Sequence, residues 1–237
     1  ERALEIFRRV DNRRFEAIAL MNLGVVHANT GRNADAATLF EKARAAFAAI
    51  DDRAGVADAV INLGGVHLAA GALDEAEQQL RAGLRLEREV GNRRAEAYAL
   101  ASLGLLAHDR GELRSARELL QEALSLCRAA GEKQFHGVFL PFYAAVEASL
   151  GHLREARADF AAALAWAEAL GDPGAIDTVR TLEGFLELAE GAPPARVRAR
   201  LADARARLDA PDAIHRSAEL VVATRMAATI AGAVMSA

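Results

Sequence analysis

Six histidines and one cysteine are the side chains of this 237-residue chain that could ligate a metal ion or attack a substrate. His27 and His67 lie 40 residues apart, so neighbouring repeats would stack their imidazoles as two candidate metal ligands. Packing of both rings between helices is the alternative. The remaining histidines recur at no common repeat position, and they are His108, His136, His152 and His215.

Motifs of the common enzyme classes are missing. The chain has no H-E-x-x-H zinc motif, no phosphate-binding G-x-x-x-x-G-K and no nucleophile elbow. Cys127 shares its repeat position with Phe47 and Ala167, which favours an inert, half-buried thiol over a reactive one. One cysteine cannot form an intramolecular disulfide and favours a reducing compartment. We therefore predict a cytoplasmic protein that is not an enzyme and has no metal or cofactor.

Positive charge is concentrated between residues 195 and 216. The arginines there are Arg196, Arg198, Arg200, Arg205, Arg207 and Arg216. Such a patch could bind nucleic acid or an acidic partner. One apolar helical stripe also runs along the segment, formed by Val197, Leu201, Ala204 and Leu208. Arginines that flank such a stripe cover the edge of a core-facing helix, and the net charge of −4 argues against nucleic-acid binding.

The sequence predicts no membrane span. The uncharged stretch near the C-terminus covers residues 226–237, twelve residues, whereas a helix needs about 20 to cross a bilayer. The first residue is Glu1, and the first ten residues read as the second helix of an incomplete pair. We therefore expect the chain to be a piece of a longer protein.

Glycine recurs with a period of 40 residues. One set fits the left-handed position that ends a helix, and its members are Gly31, Gly71, Gly111, Gly151 and Gly191. A second set falls inside helices and consists of Gly24, Gly64, Gly104 and Gly184. Glycine inside a helix costs about 1 kcal/mol against alanine, so this set predicts a close approach of the paired helix. We expect small residues such as Ala36 and Ala76 to face it.

Each repeat is predicted to contain two helices. A recurring set of N-cap residues marks the start of each first helix and consists of Asn12, Asp52, Asn92, Glu132, Asp172 and Asp212. The first helices should begin at Arg14, Ala54, Arg94, Gln134, Gly174 and Ile214. The second helices should begin at Ala34, Leu73, Leu113, Leu153 and Ala195. No segment alternates like a strand, so the fold should be all-α.

The chain resembles the tetratricopeptide repeat family in these residues, which include Asn22-Leu23-Gly24, Asn62-Leu63-Gly64 and Ser102-Leu103-Gly104. The match looks like the forty-residue variety of polarity scaffolds and bacterial signalling regulators. The resemblance implies an all-α, right-handed superhelical solenoid of antiparallel helix pairs, with about five to six repeats in a single domain, 1–237. Residues 1–11 form a partial leading repeat. The regular repeats are 12–51, 52–91, 92–131 and 132–171, followed by a degenerate repeat at 172–211 and a terminal helix at 212–237.

The family binds peptides or helices in the groove formed by its first helices. Carried onto this sequence, the groove residues are Ile18, Met21, Asn22, Val25, Ile61, Asn62, Tyr98, Ser102, Leu105, Phe142 and Phe185. They lack the positive charges with which chaperone-binding members hold a C-terminal carboxylate. An apolar groove with a few amides and hydroxyls suits a helix or an extended segment. The family's aromatic residue at the positions of His27 and His67 favours the packing role for these two rings.

The resemblance implies a non-catalytic scaffold that binds a protein or peptide, possibly another part of its parent chain. The alternative is the sensor or autoinhibitory arm of a bacterial signalling ATPase, kinase or transcription regulator. The apolar residues of the last helix include Val222, Met226, Ile230 and Val234. Their outer surface would be uncovered, so we expect self-association through that helix or burial by downstream chain.

Overall fold

The computed structural model of the protein describes residues 2–209, which form eleven α-helices and no strand. The first helices of the pairs are α2 (Arg13–Asn29), α4 (Arg53–Ala70), α6 (Arg93–Asp109), α8 (Lys133–Ser149) and α10 (Pro173–Ala189). The second helices are α1 (Arg2–Arg9), α3 (Asn33–Ala48), α5 (Leu73–Val90), α7 (Leu113–Ala130), α9 (Leu153–Leu170) and α11 (Pro194–Asp209). The first helices start 40 residues apart, each one residue earlier than predicted, which confirms the repeat. The predicted terminal helix at 212–237 lies outside the described residues.

Asparagine and aspartate side chains fix the starts of four first helices. Asn12, Asp52, Asn92 and Asp172 each accept a hydrogen bond from a backbone amide of the first turn. Glu132 makes no such bond, so the prediction of a side-chain cap is wrong at that position. Its longer side chain is not among the residue types that favour the N-cap position. The N-cap predicted at residue 212 falls outside the described part of the chain.

Glycines in the left-handed conformation end the helices. Gly31 and Gly71 have φ angles of +74° and +78°, and the glycines one or more periods later also have positive φ. At the other turn of the repeat, Gly91 has a φ of +76°, whereas Asp11 and Asp51 adopt the same left-handed conformation without being glycine. A β-carbon makes that conformation costly, so the sequence period directly records a backbone requirement.

The chain divides into two compact units, Glu1–Leu106 and Ala107–Ala237, with the boundary inside α6. The single domain predicted for 1–237 stays a prediction. In the first unit, α1 packs against α2, α2 against α3, α3 against α4 and α4 against α5. One core cluster joins Ala17 and Leu20 of α2 to Ala43 and Phe47 of α3. A second cluster joins α3 to α4, so each helix pair buries its apolar face against the next pair.

Glycines inside the helices receive large side chains from the paired helix. A Cβ atom on Gly24 would lie 2.6 Å from Cε1 of Phe40, and one on Gly184 would lie 2.9 Å from Cγ1 of Val197. The close approach was predicted correctly, but the facing residues are not the expected alanines. Ala36 and its equivalent Ala76 are fully buried and leave room for the bulky neighbours.

In the second unit, α7 to α11 pack in the same alternating order, and α10 also contacts α8. The arginine-rich segment begins in α11, where Val197 and Ala204 are buried. Arg200 Nη2 donates to Oε1 of Glu187 at 2.7 Å, and Arg196 Nε lies 3.5 Å from its Oε2. These contacts support the structural role for the arginines of α11. The side chains of Leu201 and Leu208 fall outside the described set.

Candidate functional site

Six of the eleven predicted groove residues are at least partly accessible, and all six lie in the first unit. They are Ile18, Met21, Asn22 and Val25 of α2, Asn62 of α4 and Tyr98 of α6. We call this set the first-helix surface. Asn22 is exposed and 37% of Val25 is exposed, whereas the other four are intermediate. The 40-residue period brings these side chains from successive first helices to equivalent positions.

Direct contacts join the three helices of the first-helix surface. The Asn62 side-chain amide lies 3.8 Å from the sulfur of Met21 and donates to the backbone carbonyl of Asp58 at 2.8 Å. On the other side of α4, a Cβ atom on Gly65 would lie 3.5 Å from the Tyr98 hydroxyl. The surface is therefore a continuous row of apolar groups that also carries a fixed amide and a phenol.

Five of the eleven predicted groove residues are buried in this conformation. They are Ile61, Ser102, Leu105, Phe142 and Phe185. Phe142, expected to be the aromatic groove contact of the fourth repeat, is fully buried, and Phe185 is 3% exposed beside the ring of His108. Ile61 fills the notch at Gly83 of α5. Because no ligand could touch these side chains without rearrangement, the structure limits the accessible site to the first-helix surface.

Two sequence profiles, each described as tetratricopeptide repeat, match residues 17–47 and 55–129. Together with the helix pairs and their period, these matches decide the family. The chain is a tetratricopeptide-repeat protein. Comparison with curated protein sequences gives no match.

Solved structures share the fold of these tetratricopeptide repeats. Aspartyl phosphate phosphatase F from Bacillus subtilis is 10% identical, with a TM-score of 0.63 over 95% of this chain and 61% of its own. The Rap conjugation gene regulator of plasmid pLS20, in complex with the Phr* peptide, is 16% identical, with a TM-score of 0.68 over 98% and 73%. A putative kinesin light chain of Podosopora anserina with TPR-like repeats is 15% identical, with a TM-score of 0.54 over 79% and 92%.

These likenesses confirm the all-α solenoid fold predicted from the sequence. The chain spans about three fifths of the length of the phosphatase. At such low identity the likeness carries the fold alone, and function has to be argued from the residues of this chain.

A buried pair of carboxyl groups in the tetratricopeptide repeats was missed by the sequence analysis. Glu87 of α5 is fully buried, and neither of its carboxylate oxygens has a hydrogen-bond partner among the described residues. Burial, followed by the neighbouring Asp58 carboxyl, raises the pKa of Glu87 to about 7. Burial also raises the pKa of Asp58, which Arg94 lowers in part. The pair therefore holds a proton near neutral pH, next to the carbonyl that orients Asn62.

The sequence contained one signal of this pair. Glu87 occupies the repeat position that holds Phe47, Cys127 and Ala167, all of them buried. A carboxyl group in an otherwise apolar position indicates either a functional group or a protonated one. The periodic pattern predicts burial of this residue but does not reveal the carboxyl group of Asp58 beside it.

The other candidate chemical groups take structural positions in the tetratricopeptide repeats. His27 Nδ1 lies 3.5 Å from Asp35 of the next helix, and its side chain is 14% exposed. Cys127 is buried, which raises the pKa of its thiol and so disfavours the reactive thiolate. Within residues 2–209, no group of three or more His, Cys, Asp and Glu side chains is arranged to hold a metal ion. None of the described helices is both long enough and apolar enough to cross a membrane.

Proposed function

We propose that this chain is a non-catalytic scaffold module that holds a helix or an extended peptide against the first-helix surface. The observation that carries the proposal is the continuity of that surface across α2, α4 and α6. Met21 contacts Asn62, and Gly65 of the same helix faces Tyr98. Side chains with these properties suit the apolar face of a partner segment, because they desolvate readily and retain hydrogen-bonding groups.

The absence of charge from the first-helix surface narrows the class of partner. Its six residues are apolar, amide or phenolic. An acidic peptide tail needs lysine or arginine for strong recognition, and these residues provide neither. We therefore propose a partner whose contact residues are apolar, with polar groups that pair with Asn22, Asn62 and Tyr98. The single cysteine supports a cytoplasmic setting.

Peptide binding by a structural relative also supports the proposal. The Rap conjugation gene regulator is in complex with the Phr* peptide, and its fold is shared by this chain. We transfer only the class of ligand, a peptide or protein segment. The same relative favours one second candidate, a sensor or autoinhibitory arm of a bacterial signalling regulator. In that case the occupant of the first-helix surface would belong to the parent protein.

The test compares partner recovery by two charge variants. One variant carries Met21→Asp and Tyr98→Asp on the first-helix surface. The matched control carries Thr38→Asp and Gln78→Asp on the exposed sides of α3 and α5. Both should keep the helical circular dichroism and melting cooperativity of the parent chain.

The proposal predicts that the first variant recovers its specific partners at least tenfold less well in quantitative mass spectrometry, while the control recovers them normally. Equal recovery by both variants would show that the first-helix surface is not the binding site. A partner that is part of the parent protein would favour the regulatory arm, and one encoded separately would favour the scaffold.

A further inference from the structure

The unit Ala107–Ala237 contains an open pocket of about 490 Å³, lined by side chains of α7, α8 and α9. This volume falls in the range of about 300–1,000 Å³ that is usual for ligand sites. The lining is polar and charged, in contrast to the first-helix surface. It includes Arg117, Tyr143, Glu147 and Asp159. The pocket is therefore a separate candidate site with its own chemistry.

Glu147 of α8 has its hydrogen-bonding capacity filled within the protein. Its side chain is 2% exposed, and Arg117 Nε donates to its Oε1 at 2.6 Å. His152 Nδ1 is paired with its Oε2, and the Tyr143 hydroxyl is a further hydrogen-bond partner. Burial would raise the pKa of Glu147, but these three hydrogen bonds outweigh it and lower the pKa. The charge of Arg117 is thus already matched inside the pocket wall.

Asp159 of α9 has no comparable partner. Among the described residues, no hydrogen bond or ion pair engages its carboxylate, although the side chain is half-buried. Burial and the negative charge of Glu147 raise the pKa of Asp159, and Arg128 only partly offsets them. The lining groups hold three carboxylates, those of Glu147, Glu155 and Asp159, against one guanidinium. The pocket consequently favours an incoming cation over an anion.

We propose that this pocket binds an arginine side chain presented by a partner protein or peptide, with Asp159 as the carboxylate that pairs with it. A planar guanidinium forms two parallel hydrogen bonds to a carboxylate and can stack on an aromatic ring such as Tyr143. The open pocket admits a side chain from outside the protein. The ion pair formed would be partly shielded from water, which strengthens it relative to a surface pair.

The experiment uses small probes with and without the charge. N-acetyl-arginine methylamide and its neutral isostere N-acetyl-citrulline methylamide are titrated separately into the isotope-labelled chain, and NMR shifts of Tyr143, His152 and Asp159 are followed. The arginine probe should bind saturably with a millimolar Kd, and the citrulline probe should bind at least tenfold more weakly. Asp159→Asn should weaken the arginine probe about tenfold, whereas Glu168→Gln, an exposed carboxylate elsewhere on α9, should leave its Kd unchanged.

Three results would overturn the proposal. Equal affinity for both probes would mean that the guanidinium charge is not recognised. Unchanged arginine affinity in a folded Asp159→Asn variant would mean that another residue binds it. A titration with inorganic phosphate that gives the tighter saturable shifts would identify the pocket as an anion site of Arg117 and His152.

Discussion

Leu80 of α5 fills the notch left by Gly64 in the middle of α4. A Cβ atom on Gly64 would lie 2.7 Å from Cγ of Leu80 and 3.1 Å from its backbone nitrogen. The adjacent Gly65 has only the Tyr98 hydroxyl near that point, at 3.5 Å, an ordinary contact. Two neighbouring glycines on one helix therefore have different reasons to be present, which gives a matched pair of variants.

Gly64→Ala should destabilise the protein. Overpacking costs about 1–3 kcal/mol, and the gain of about 1 kcal/mol in helix propensity offsets it only in part. Gly65→Ala, which gains the propensity without the clash, should be neutral or more stable by up to about 1 kcal/mol. Urea denaturation monitored by circular dichroism measures both changes. Equal effects of the two substitutions would mean that Leu80 adjusts without cost.

Asp51 and Gly91 occupy the same turn one repeat apart, with φ angles of +55° and +76°. Gly91→Ala places a β-carbon in the left-handed conformation and should cost about 1–2 kcal/mol. Asp51→Gly relieves that strain but increases the entropy of the unfolded chain, so it should stabilise by less, up to about 1 kcal/mol. Thermal melting of both variants checks the signs. A stabilised Gly91→Ala variant would contradict this account of the turn.

Stability should fall between about pH 4.5 and pH 7 because of Glu87. Its pKa rises from 4.5 to about 7 in the folded protein, so the folded state binds more protons than the unfolded state in that window. The contribution is complete below pH 4.5, is lost as pH rises through 7 and amounts to about 3 kcal/mol.

Glu87→Gln should remove this dependence, because glutamine stays neutral. Chemical denaturation at pH 5 and pH 8 should show a variant that is stabilised relative to the parent chain only at the higher pH. Glu75→Gln, an exposed position on the same helix, is the control and should keep the pH dependence of the parent. A parallel shift of Glu87→Gln at both pH values would refute the proton shared with Asp58.

Arg117→Gln should destabilise the second unit by about 1–2 kcal/mol. The substitution leaves the buried Glu147 carboxylate with fewer partners, but the Arg117 side chain is 38% exposed, so water screens part of the effect. The exposed Arg114→Gln on the same helix should change stability by less than about 0.5 kcal/mol. Equal unfolding free energies for the two variants would show that the ion pair contributes nothing measurable.

The repeat could be predicted from sequence because its glycines meet a backbone requirement that few other residues satisfy. Gly31 and Gly71 mark turns at a fixed period, and the helices start one residue from the predicted positions. The partner of the helix glycines was predicted less well. Periodicity indicates that Gly64 needs space, but it does not show that Leu80 rather than Ala76 uses it.

The candidate site was harder to predict because helical spacing indicates a face of a helix and not its depth. Positions carried over from the family place Ser102 and Phe142 with Asn22, yet these two are buried and Asn22 is exposed. The charged groups were missed for a different reason. His152 and Glu147 become a pair only through the turn between α8 and α9, and the sequence by itself suggested a solvated histidine.

The most direct test of the first-helix surface is hydrogen exchange of the protein with and without its recovered partner. The account predicts slower exchange in α2, α4 and the first half of α6, with Met21, Asn62 and Tyr98 inside the protected peptides. The exposed sides of α3 and α5 should exchange at an unchanged rate. Protection confined to α3 and α5, with none in α2 and α4, would contradict the central claim.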